Sequence, residues 1–182
     1  MKKNYLTKGI HTAIALKNLT FTILFFLAIN NSILAQTSCA TALPITINGS
    51  CITGASVSDG TQDAPTLSGC SPGTFRYERW YTFTVTSGPQ NVNITGTTTN
   101  RNLYLQLISQ SSACGGLTQI ACANADTNTN NAQTETINAT GLANGTYYIK
   151  VANVGNNNTM NLSSLCVTSP PSNDACAGAI TL

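Results

Sequence analysis

The residues most suggestive of chemistry are Asp126-Thr127-Asn128-Thr129-Asn130, which set carboxylate and amide oxygens at alternate positions, as the opening of a calcium loop does. Asp126, Asn128 and Asn130 are therefore candidate metal ligands, calcium is the candidate cofactor, and Glu135 stands nearby. The pattern is incomplete. Asn131 occupies the position of the turn glycine and Ile137 that of the bidentate glutamate, so a polar loop between strands accounts for the same residues. Trp80 is the second candidate. It is flat and amphipathic, as a sugar-stacking residue must be, and the tyrosines Tyr77, Tyr81, Tyr104, Tyr147 and Tyr148 share that character. Catalysis is argued against by composition. The single histidine is His11, inside a leader-like segment, so beyond that segment neither a Ser-His-Asp nor a Cys-His arrangement can be assembled. There is no Cys-x-x-Cys pair for zinc, and no two carboxylates stand in a context that marks glycoside hydrolysis. The expectation is a protein that is not an enzyme.

Residues 1–35 have the layout of a secretory signal peptide. Lys2, Lys3, Lys8 and Lys17 precede the apolar run Leu19 to Ile29, and Ala35 offers a small residue for cleavage before Gln36. The run is short for a membrane span, which needs about 20 apolar residues. Beyond the leader, four cations (Arg76, Arg79, Arg101 and Lys150) face six carboxylates, a formal charge of −2. Four scattered cations make no basic patch, which argues against nucleic acid as a partner.

All seven cysteines also lie beyond the leader, as expected for a chain folding in an oxidising, extracellular or cell-surface setting. Cys176-Ala177-Gly178-Ala179-Ile180-Thr181-Leu182 echoes Cys39-Ala40-Thr41-Ala42-Leu43-Pro44-Ile45, so Cys176 reads as the first cysteine of a second module. That leaves six for the first module. Spacing alone allows many pairings. The expectation is Cys114 with Cys122 across a short Gly-Gly loop, Cys51 with Cys70, and Cys39 with Cys166, tying the first strand to the last.

These candidates must be positioned by strands. From Phe75 to Thr86 the residues alternate: Phe75, Tyr77, Tyr81, Phe83 and Val85 share one face, interrupted by Arg79, and Arg76, Glu78, Trp80, Thr82, Thr84 and Thr86 share the other. If the tyrosine face is the core, Trp80 points outward, toward a ligand or beneath a covering loop. Leu103, Leu105 and Leu107 alternate similarly, as do Tyr147, Ile149 and Val151. Shorter strands are predicted at Pro44 to Asn48, Val92 to Thr95, Leu117 to Ala121, Thr134 to Asn138 and Met160 to Val167. Turn signals such as Ser87-Gly88-Pro89 and Asn144-Gly145 separate them, and no stretch beyond the leader carries a helical period. The predicted fold is an all-β antiparallel sandwich, jelly-roll or immunoglobulin-like in topology, stapled by disulfides and spanning residues 36–168. Residues 169–182 would be a Pro-rich linker and the start of the second, truncated module.

The motifs "NDACAGAITL", "YERWYTFTVT", "CGGLTQIAC", "GLANGTYYIKV" and "LSSLCV" together resemble the repeated cysteine-containing modules of secreted Bacteroidota proteins. Those modules are similar to bacterial pre-peptidase C-terminal domains. The resemblance implies a β-sandwich and a non-catalytic role in a large extracellular protein, beside proteases, fibronectin-like domains or adhesin repeats. The expected function is to bind polysaccharide or a cell surface, or to position a neighbouring module. The alternatives are a structural spacer repeat with no ligand, and an accessory domain of a secreted protease or glycoside hydrolase.

Overall fold

The computed structural model describes residues 36–58, 70, 75–124, 131–154 and 158–170. A single 3₁₀ turn, Cys39–Thr41, precedes nine strands: β1 Leu43–Pro44, β2 Ile52–Val57, β3 Phe75–Val85, β4 Gln90–Thr98, β5 Leu103–Ser109, β6 Thr118–Ala123, β7 Thr134–Leu142, β8 Gly145–Val154 and β9 Met160–Thr168. They form a five-stranded sheet, ordered β1-β3-β8-β5-β6, and a four-stranded sheet, ordered β2-β9-β4-β7. All pairings are antiparallel except β1 with β3. From β2 to β9 the chain changes sheets at every connection but one, β5 to β6, and the eight strands wind as a jelly roll. The immunoglobulin-like alternative is thereby set aside.

Alternation explains the core. Tyr81, Phe83 and Val85 of β3, Leu103, Leu105 and Leu107 of β5, and Ile149 and Val151 of β8 point inward from one sheet; Val92, Ile94, Ile137, Leu162, Leu165 and Val167 meet them from the other. Gly96 of β4 faces the same interior, where a Cβ would come within 3.1 Å of Leu103 and 3.2 Å of Leu105. Strand β2 escapes the sequence pattern: Ile52-Thr53-Gly54-Ala55-Ser56-Val57 is small and Gly-containing, and only Val57 is fully buried. It forms because its backbone pairs with β9, Ile52 opposite Leu165 and Val57 opposite Met160.

That pairing also corrects the disulfides. The six expected cysteines are all bridged, but the partners are Cys51–Cys166, Cys39–Cys114 and Cys70–Cys122, with Cα separations of 4.5, 5.6 and 6.1 Å. Cys51 immediately precedes β2 and Cys166 follows Leu165 in β9, so the β2–β9 register sets them side by side. Cys122 lies within β6 while Cys114 lies in the loop before it, so the two leave the hairpin at different points and find partners from other segments.

Candidate functional site

The five-stranded sheet is covered on both faces. On its outer face the register lines up Trp80 of β3, Lys150 of β8, Gln106 of β5 and Cys122 of β6, with Glu78, Ala152 and Tyr104 in the adjacent row. The N-terminal segment lies against the edge: Gln36 accepts a hydrogen bond from the Trp80 amide (2.8 Å), and Cys39 is bridged to Cys114 of the β5–β6 loop. Cys39, Trp80, Ile108 and Tyr148 form a small second core there, beside Ala42, Cys114 and Leu117. Tyr104 and Ala152 pack with Cys70 and Cys122 in another.

Trp80 therefore points away from the main core, as its strand position predicts, yet it is 0% exposed. No sugar ring can reach it. Its recognition role is corrected to a packing one: the ring meets Tyr148 edge-on at 6.2 Å. Its indole Nε1–H donates to Glu78 Oε1 at 3.0 Å. Lys150 Nζ lies 5.3 Å from the ring centroid and 2.6 Å from Glu78 Oε2. Lys150 and Glu78 are 0% and 1% exposed. Glu78 is paired with Lys150, seventy-two positions along the chain, reached on the diagonal across β3 and β8. Ala152, directly opposite Glu78, leaves room for the lysine to lie over it. Gln106 continues the polar row by donating from Nε2 to Gln119 Oε1 at 2.9 Å. Burial raises the hydroxyl pKa of Tyr104 on this face, and raises that of Tyr81 on the inner face to about 12 against a smaller lowering by Arg79.

The other sequence candidates fare differently. Asp126, Asn128 and Asn130 lie outside the described residues, as do Asp59 and Asp63. Glu135 and Ile137 are buried in β7, 4% and 3% exposed, turned toward the sandwich interior. Among the described residues no three His, Cys, Asp or Glu side chains gather as a metal site.

An open groove lies at the edge of the five-stranded sheet, with a volume of about 560 Å³. Ile45 and Phe83 contribute apolar surface to it, and Thr46, Asn48, Thr84 and Gln90 are among its polar lining residues. Among the described residues no ionisable side chain lines it. The segment after β1 forms one wall, held by donation from the Ile45 amide to the Thr82 carbonyl (2.8 Å) and from the Asn48 amide to the Val167 carbonyl (2.9 Å). Near the other end, the β3–β4 turn is packed tightly on the β7–β8 turn. A Cβ on Gly88 would fall 2.6 Å from the Leu142 carbonyl oxygen, so only glycine fits.

The span from β3 to β8, which holds both Glu78 and Lys150, is also where the chain is similar to a known domain. Residues 77–153 match the family model of the bacterial pre-peptidase C-terminal domain. Among solved structures, the pre-peptidase C-terminal domain of collagenase from Bacillus anthracis is similar at 22% identity and a TM-score of 0.41, over 69% of this chain and 93% of that one. The CBM35 from Cellvibrio japonicus Abf62 is similar at 19% identity and a TM-score of 0.32, over 51% of this chain and 65% of that one. No curated protein matches the chain.

Proposed function

We propose that this chain is a non-catalytic accessory module of a secreted or cell-surface protein, holding a neutral glycan in the groove between the β1 segment and β3. The observation that carries the reading is the groove's lining: hydroxyls and amides over an apolar floor, with no charge among the described residues. Such a surface offers hydrogen-bond donors and acceptors together with apolar contact, which is what a neutral sugar presents in return. The leader-like segment and the three disulfides favour an exported protein, and the Ser169-Pro170-Pro171-Ser172 stretch followed by Cys176 favours a neighbouring module in the same chain. The family match over 77–153 supports an accessory role rather than catalysis in this module.

The test is retention on a panel of insoluble and soluble neutral glycans. Thr84 is exposed and lines the groove, so Thr84→Arg should weaken retention about tenfold, by bulk and by a desolvated charge. Thr136→Arg, on the outer face of the four-stranded sheet, should leave it unchanged. Retention of no glycan by the unaltered protein would overturn the reading and leave the spacer-repeat alternative.

A further inference from the structure

Glu78, Trp80 and Lys150 hold a geometry that the glycan reading does not use. An amine and a carboxyl group are in contact at 2.6 Å, both essentially without solvent access, and an N–H donor sits on the second carboxyl oxygen at 3.0 Å. Two ions taken out of water each lose several kcal/mol of solvation, to be recovered only by their mutual attraction and hydrogen bonds. Moving the proton from ammonium to carboxylate abolishes both charges and leaves a primary amine facing a carboxylic acid. Held reactants of this kind react with effective molarities of about 10⁵–10⁸ M when the approach is suitable.

We propose that Lys150 and Glu78 condense into an intramolecular amide that links β3 to β8. The proton on Nζ passes to Oε2, and the nitrogen lone pair then attacks Cδ of Glu78. Negative charge develops on Oε1, where the Trp80 Nε1–H already donates. Collapse breaks the Cδ–Oε2 bond and expels that oxygen as water, its two hydrogens being the transferred proton and a second one from the nitrogen. A C–N bond replaces a C–O bond, nothing is oxidised or reduced, and no co-reactant is needed. The product carries no charge, so the solvation loss of the ion pair disappears, and the burial of both side chains excludes the water that would reverse the step. Trp80 is a positioning and charge-stabilising residue in this scheme, which gives its burial a chemical use.

The experiment is an intact mass of the folded protein after its disulfides are reduced and alkylated, followed by tryptic mapping. The expected mass is one water below that of the sequence. Trypsin should fail to cut after Lys150, and the tripeptide Tyr77-Glu78-Arg79 should be recovered as a branch on the peptide that begins at Asn102 and contains Lys150. Lys150→Arg keeps a cation opposite Glu78 but should show its full sequence mass and no branch. Glu78→Gln removes the carboxylate that takes the Nζ proton and should likewise show its full sequence mass and no branch. If the unaltered protein has its full mass and is cut normally after Lys150, the proposal is wrong, whatever the variants do. Neither result depends on glycan binding.

Discussion

Among single residues, Lys150 and Trp80 have roles that their side-chain types alone would not suggest. A lysine on a β-strand is normally a solvated surface group; here it lies in the second-layer core in contact with Glu78. Removing one partner strands the other, so Lys150→Met should cost about 3–5 kcal/mol in urea unfolding, and Glu78→Leu introduced with it should restore much of that loss. Trp80→Ala should cost about 3–5 kcal/mol through the cavity it leaves, and any loss of glycan retention should track unfolding. Tyr81 supplies a pH dependence. Its folded-state pKa of about 12 lies above the ordinary 10.0 because burial disfavours the phenolate. The unfolded chain therefore releases this proton first. Stability is fully present below pH 10, falls as pH rises toward 12, and its loss from this residue is on the order of 2 kcal/mol. Urea midpoints followed across that window, with free thiols blocked, should decline less in Tyr81→Phe.

Pairs of elements are tied by register. Strand β2 contributes few buried side chains, and its attachment to β9 rests on the ladder and on the Cys51–Cys166 bridge. Replacing both cysteines by alanine should cost about 2–5 kcal/mol, with β2 amides losing hydrogen-exchange protection before those of β8. Mass mapping of an unreduced digest should join Cys51 to Cys166, Cys39 to Cys114 and Cys70 to Cys122. The strands with strong alternation, β3, β5 and β8, are legible in the sequence because one face of each must be apolar. The partner of Cys51 was not, because β2 lacks that alternation and the bridge follows from a strand pairing 115 residues away.

Across the whole molecule, the jelly roll has a layer beyond the usual two. The N-terminal segment closes over Trp80, the chain's one tryptophan, so indole fluorescence reports directly on that cover. Starting the folded module at Leu43, with Cys114→Ala to avoid a free thiol, should shift the emission to longer wavelength and lower the thermal midpoint. An unchanged emission maximum would mean that Trp80 is shielded without residues 36–42. The groove belongs to the same scale, since its walls come from the β1 segment, the end of β3 and the start of β4.

Composition and period by themselves determined an all-β sandwich: alternating apolar residues must share one buried face, and turn residues must break the chain between strands. The cysteine positions likewise determined which six residues are bridged. Tertiary structure alone decided that the winding is a jelly roll, which cysteines meet, that the outward face of β3 is buried, and that Glu78 answers to Lys150. Each of those depends on which strands lie side by side and in what register, and a one-residue slip there turns every side chain to the opposite face.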